Sequence, residues 1–226
     1  QVMDAMHYSV MAGGKRLRPV LMKECFILFG GTGEIIEPFM AALEMIHNYS
    51  LVHDDLPAMD NDEYRRGKLT TWKVYGECMA ILAGDGLLNF AFETASKAFR
   101  MVDKECGTDP AQQLKTYRAV GRSMQILSKK AGIYGMIGGQ TADIEAEGRN
   151  DLTEELLLFI HEHKTAALME CAMMIGAALA GASQSDIEKM ERAASNIGIA
   201  FQIQDDILDI TSTTEVLGKP VAVSYT

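Results

Sequence analysis

An all-α fold is predicted for this chain by three features of its sequence. Methionine, alanine and leucine are abundant, proline occurs five times, and the alternating β-branched runs that mark strands are nearly absent. Hydrophobic periodicity places helices at roughly 3–11, 17–29, 34–56, 72–100, 109–131, 133–146, 153–181 and 184–211. The first already reads as mid-helix, which predicts that the chain begins inside a longer protein. "GGKRLRP" leads into the second, and Gly30, Gly31 and Gly33 punctuate its end. The third runs up to Pro57, where a helix should break or kink after Leu56. "GTDP" at 107–110 supplies a turn and then a proline suited to a helix's first turn, and "DLTEE" at 151–155 resembles an N-terminal cap with acid behind it.

With 226 residues, 48% of them hydrophobic, the chain can bury a sizeable core, and without Gly/Ser- or Pro-rich linkers it reads as one domain, 1–226, incomplete at both ends. A formal charge of −10 and a pI near 5.0 speak against nucleic acid or an anionic membrane as a partner. Any anionic substrate must be gathered by a few basic side chains or a bridging metal ion. Cys25, Cys78, Cys106 and Cys171 are scattered, with no CxxC pair, and read as reduced thiols of a cytoplasmic protein. The apolar stretches contain no spanning helix and no secretory signal, so no stable membrane insertion is expected.

Two acidic patches carry the chemistry: "HNYSLVHDDLPAMDNDEYRRG" at 47–67 and "DDILD" at 205–209. On a helix Asp205 and Asp209 lie about 40° apart with Asp206 flanking them. Their neighbours Phe201, Ile203, Ile207, Leu208 and Ile210 are apolar, so the face is read as half-buried. Clustered carboxylates repel unless a cation compensates them, and an oxygen-only donor set favours a hard ion such as Mg²⁺. In the first patch His47, Leu51 and Asp54 share one helical stripe, and the break at Pro57 lets Asp60 fold back toward Asp54. One such string alone is more often a solvated helix face. Two of them in apolar helices, one followed by Arg65 and Arg66, argue for a site. Lys15, Arg16 and Arg18 behind Gly13 and Gly14 stand where a helix begins, a place that favours anions, although a basic helix start is more often solvated surface.

Together with "AGDGLLNFAFE", "GGQTADIEAEG", "HEHKTAAL" and "FQIQDDILDITSTTEVLGKP", these stretches resemble the trans-prenyl diphosphate synthase family, most of all its bacterial farnesyl diphosphate synthase type, over nearly the whole chain. The resemblance implies a homodimeric isoprenoid-synthase-type helical bundle around a central substrate cavity. It implies three Mg²⁺ ions per site, held by Asp54, Asp55 and Asp60 and by Asp205, Asp206 and Asp209. Lys15, Arg18, His47 and Arg66 match the positions that hold isopentenyl diphosphate, and Arg65 matches a contact to the allylic diphosphate. Lys164, Thr165, Gln202 and Lys219 match the remaining allylic-site positions, and Gln140 and Asp143 a supporting GQxxD element. The implied reaction joins isopentenyl diphosphate to dimethylallyl and geranyl diphosphates, giving farnesyl diphosphate and pyrophosphate.

In that family a bulky residue ahead of the first aspartate motif stops the growing tail. Tyr49 resembles this floor, although Ser50 is angularly nearer to Asp54 on the helical wheel. A geranylgeranyl diphosphate synthase with a deeper floor is the alternative. A noncatalytic synthase-like subunit should lack one aspartate patch or the basic residues, and a cyclase fits the isopentenyl-site basics less well. Glu44 with His47 makes only one ExxH of the two that a di-iron bundle needs, and His53 with Asp54 lacks the partner histidines of a metal phosphohydrolase. The final "LGKPVAVSYT" departs from the family pattern, which leaves any second lysine of that loop unassigned.

Overall fold

The computed structural model describes residues 1–149 and 151–211. Lys219 and the "SYT" end lie outside the described residues, as do the side chains of Asp205, Asp206 and Asp209 within their helix. In chain order the elements are α1 (Val2–Val10), α2 (Leu17–Leu28), α3 (Glu37–Asp54), β1 (Tyr64–Arg65), β2 (Lys68–Leu69), α4 (Thr71–Tyr75), α5 (Glu77–Ser96), α6 (Ala98–Cys106), α7 (Pro110–Ala131) and α8 (Met136–Ala146). There follow α9 (Glu154–Ile160), a π turn (His161–Ala166), α10 (Ala167–Leu179) and α11 (Gln184–Thr211).

Local chemistry sets most of these boundaries. The Asp109 carboxylate accepts from the amides of Ala111 (3.0 Å) and Gln112 (3.3 Å), with Pro110 at the first helical position of α7. Thr153 caps α9 through the Leu156 amide at 3.2 Å, with Glu154 and Glu155 in the first turn. Both starts agree with the sequence reading. Two predicted helices are subdivided. Residues 72–100 are interrupted at Gly76, whose φ of 86° no helix accepts, and again at Lys97, and the helical run continues to Cys106. The 153–181 segment holds the π turn in its middle, which apolar spacing does not reveal. The sequence also gave no sign of the two-residue ladder of β1 and β2, in which Tyr64 pairs with Leu69 and Arg65 with Lys68.

The chain divides into two compact units. One comprises Gln1–Arg16, Glu44–Glu93 and the described residues from Asp206 on, and the other Leu17–Leu43 and Thr94–Asp205. In the second, α10 is apolar on all sides and nearly every one of its residues is buried, which makes it the central element. It packs on α2 and α7. A Cβ at Gly176 would come within 2.3 Å of the Met22 carbonyl oxygen, so the glycine sets how closely α10 approaches α2. Cys25, Met169, Met173 and Ala194 form a core cluster there. In the first unit α1 packs on α4, and the Tyr8 hydroxyl donates to the Leu69 carbonyl at 2.7 Å. Among the described residues no helix is long and apolar enough to cross a membrane.

Candidate active site

In the first unit, α3 delivers the first acidic patch. The helix stops at Asp54, two residues before the predicted end. Pro57 has no amide hydrogen to continue the ladder and disfavours helical geometry at Leu56. The Leu56 amide bonds the His53 carbonyl instead (3.2 Å), and the chain turns back until the Asp60 amide donates to the Asp54 carbonyl at 2.9 Å. The predicted fold-back of Asp60 onto Asp54 therefore takes place, with Asp54 half-buried and Asp60 exposed.

Asp55 is placed differently from the reading that grouped it with Asp54 and Asp60. It points into the protein, 3% exposed, and accepts from Arg65 Nε at 2.6 Å. Burial pushes its carboxyl up to about 6 even though Arg65 pulls the other way. Arg65 also approaches Asp62, at 3.7 Å. The hairpin explains why the two arginines part. Arg66 and Gly67 both have positive φ (53° and 74°), the requirement of a tight two-residue hairpin, so Arg65 ends the extended strand while Arg66 already lies in the left-handed turn. Arg65 thus turns toward Asp55, while the Arg66 guanidinium bonds the Gly13 carbonyl. A Cβ at Gly14 would lie 2.7 Å from Arg66 Nη1, so the glycine pair ahead of the basic segment seats Arg66. Arg16 is also committed within the protein, ion-paired with Glu44, and does not stand as an open anion ligand. Lys15 is exposed, His47 is half-buried on α3, and Arg18 is half-buried in the first turn of α2, in the other unit. A cavity of about 30 Å³ lined by Asn48, Asp55, Arg65 and Arg66 has room for a water but not for a diphosphate.

One turn ahead of the acids, Tyr49 is 6% exposed and its hydroxyl has no hydrogen-bond partner among the described residues. Its ring meets His53 edge-on at 5.8 Å. His53 Nε2 lies 3.1 Å from the Ile81 carbonyl oxygen, and a Cβ at Gly84 would come within 2.0 Å of that nitrogen. The interior glycine of α5 is the sequence signal for this close crossing, and it escaped the sequence reading. Ser50 donates its hydroxyl to the His47 carbonyl at 3.0 Å, back along its own helix.

In the second unit the π turn carries Lys164 and Thr165. The Lys164 ammonium pairs with Asp143 of α8, three residues beyond Gln140. The Thr165 hydroxyl donates to Gln202 Oε1 of α11 at 2.7 Å. Three of the predicted positions are thereby brought together with the GQxxD aspartate. Among the described residues no three acidic, histidine or cysteine side chains converge on one point. Asp54 and Asp60, joined through their backbones and offering only oxygen, still fit a hard cation, which takes one or two carboxylates and completes its shell with substrate phosphate and water.

The sequence profile of the polyprenyl synthetases matches residues 1–223. The chain belongs to the polyprenyl synthetase family. Within this family it is 49% identical over 221 residues to a geranylgeranyl diphosphate synthase of Cyanophora paradoxa, covering 97% of this chain and 69% of that protein. A farnesyl diphosphate synthase of Geobacillus stearothermophilus is 46% identical over 217 residues, covering 96% of this chain and 69% of that protein. A crystal structure described as geranyltransferase from Helicobacter pylori complexed with magnesium and isoprenyl diphosphate superposes with a TM-score of 0.82 at 31% identity, covering 99% of this chain and 71% of that one. The chain thereby has the helical isoprenoid-synthase fold. Curated relatives extend further, and the chain spans between 55% and 69% of their length.

Proposed function

We propose that this chain is a Mg²⁺-dependent trans-prenyltransferase that extends dimethylallyl and geranyl diphosphates with isopentenyl diphosphate and stops at (E,E)-farnesyl diphosphate. The observation that carries the product length is Tyr49, a buried ring one turn ahead of Asp54 and braced edge-on by His53. A tail growing along that face of α3 would meet the ring as a floor.

Chemically, the allylic C1–O bond breaks, pyrophosphate leaves with the electron pair, and the isopentenyl double bond attacks the allylic cation. The proton lost from the former isopentenyl unit goes to the released pyrophosphate. Lys15, Arg18, His47 and Arg66 hold isopentenyl diphosphate, and Arg65 and Lys219 stabilise charge on the leaving oxygens. Asp55 orients Arg65, and Asp143 does the same for Lys164. Lys164, Thr165 and Gln202 turn carbonyl and hydroxyl dipoles toward the cation and keep water out. Asp54 and Asp60, with Asp205, Asp206 and Asp209, would hold Mg²⁺, which would supply the remaining neutralisation of the diphosphate. The family resemblance carries a homodimer with it, and the scattered cysteines without a CxxC pair carry a cytoplasmic location.

Geranylgeranyl diphosphate synthesis is the second reading, supported by relatives of that name at 49% and 46% identity. The deciding experiment incubates the full-length protein and Mg²⁺ with isopentenyl diphosphate and each of dimethylallyl, geranyl and farnesyl diphosphates, and sizes the products. Accumulation of C15 supports the proposal. A dominant C20 product transfers the assignment to the second reading, and no product from any primer removes the enzyme altogether.

A further inference from the structure

We propose that Gly139 and Gly198 are positioning residues that hold the π turn in place from two sides. Each acts with the polar side chain one turn further along its own helix, Asp143 or Gln202, to aim Lys164 and Thr165 at the allylic diphosphate. The functional half of this inference rests on the reading of Lys164 and Thr165 given above.

A π turn is rare and is held by its surroundings, since ordinary α geometry satisfies the same backbone better. Nothing within His161–Ala166 enforces one, for the six residues include neither proline nor glycine. The constraint comes from the neighbours. A Cβ at Gly139 of α8 would lie 2.1 Å from the Lys164 amide nitrogen, 2.5 Å from the His163 carbonyl carbon and 2.7 Å from the Lys164 Cα. All three are backbone atoms, which no change of rotamer moves. A Cβ at Gly198 of α11 would lie 2.4 Å from the Ala166 Cβ and 2.5 Å from its Cα. Both glycines are buried inside helices and neither has positive φ, so what each provides is space. Gly121 of α7 makes the contrast, because a Cβ there would meet nothing within 4 Å.

The spacing repeats on both sides. Gly139 and Asp143 are four apart on α8, and Gly198 and Gln202 four apart on α11, so in each pair the polar side chain stands above the glycine on one helix face. Each helix therefore touches the π turn twice. Gly139 admits the backbone at Lys164 while Asp143 takes that residue's ammonium. Gly198 admits Ala166 while Gln202 accepts from the Thr165 hydroxyl. An added methyl on either side would push the turn off its seat and rotate both functional residues together.

The test compares Gly139→Ala and Gly198→Ala with Gly121→Ala in the full-length protein. Two quantities are read: steady-state kinetics with geranyl and isopentenyl diphosphates, and amide hydrogen exchange across residues 159–168. The two bracket variants should lower kcat about tenfold to a hundredfold, the scale of a misplaced reacting group. Their KM for isopentenyl diphosphate should stay near the wild-type value, exchange should rise within the π turn but not within α10, and Gly121→Ala should behave as wild type. Wild-type exchange or wild-type kcat in both bracket variants overturns the proposal. If neither folds, Asp143→Asn, which removes only the charge opposite Lys164, must reproduce the kcat loss at unchanged isopentenyl KM, and unchanged kcat there overturns it too. A wild-type protein that elongates no primer defeats the proposed function separately, and exchange alone then decides whether the glycines hold the turn.

Discussion

Asp55 illustrates how residue identity and residue role part company. Spacing alone makes it the twin of Asp54, yet it is the last helix-bonded residue before the Pro57 turn, its amide still donating to Leu51 at 3.1 Å, and its side chain faces the hairpin. The turn sends Asp60 back to Asp54 and leaves Asp55 to Arg65. Replacing Asp54 with alanine should therefore leave the helical circular-dichroism signal intact and lower turnover by about two orders of magnitude or more. Asp205→Ala should do the same, and near wild-type rates with Mg²⁺ in either variant would refute its carboxylate assignment. Tyr49 permits a sharper separation. Burial, with Asp54 adding to it, pushes its ionisation up to about 12, so the phenol stays neutral at physiological pH while its hydroxyl lacks a partner among the described residues. Tyr49→Phe keeps the bulk and removes the unsatisfied group, and should raise stability by about 1 kcal/mol with the C15 product unchanged. Tyr49→Ala removes the bulk and should shift products toward C20 and beyond. An unchanged product profile by chromatography would sink the floor assignment.

At the scale of elements, periodicity located helices well because apolar spacing and burial share one cause. α7 and α11 begin and end almost where the pattern puts them, and Asp109 and Thr153 act as the caps their types predict. What escaped were features that leave no mark in apolar periodicity: the π turn, the arginine hairpin and the close approaches at Gly84 under His53 and at Gly139 under Lys164. A sequence pattern shows that a helix contains a glycine but not which neighbouring group needs the space. The same limit hid the ion cluster in which Lys130 of α7 meets Glu170 of α10 and, at 2.7 Å, Glu191 of α11. Burial alone would lower the Lys130 pKa, but its bonds to the two glutamates outweigh that and the net shift is upward from 10.5. Lys130→Met leaves Glu170 buried without its cation and should cost about 3–5 kcal/mol by denaturant unfolding. The sign of the pH dependence follows from the upward shift. The part of the stability linked to Lys130 is whole below about 10.5 and is lost as pH rises through the higher folded-state value. The gap between wild type and Lys130→Met should thus narrow only above 10.5, and a gap that closes as pH rises from 7 to 9 would contradict this.

For the whole molecule, composition set limits that the structure then resolved residue by residue. A chain of net charge −10 can gather an anionic ligand only through individual cations, and three of the basic residues singled out at the sequence level, Arg16, Arg65 and Lys164, are each anchored by a carboxylate. That pairing is a contact between distant residues, so it could not be read from their order along the chain. Cysteine usage can be checked over the chain in one experiment. All four thiols are free, Cys78 exposed and Cys106 half-buried, while Cys25 and Cys171 are buried and burial pushes both of their thiols up. Since only the thiolate reacts, the buried pair is protected twice, by exclusion of the reagent and by a suppressed thiolate fraction. Alkylation of the native protein at pH 8, followed by peptide mass spectrometry, should label Cys78 first and Cys106 more slowly. Cys171 sits on the central helix of its unit and should react only at the rate of unfolding, and denaturant should accelerate its labelling far more than that of Cys78. Labelling of Cys171 as fast as Cys78 in the native protein would mean that α10 is not the buried centre described here.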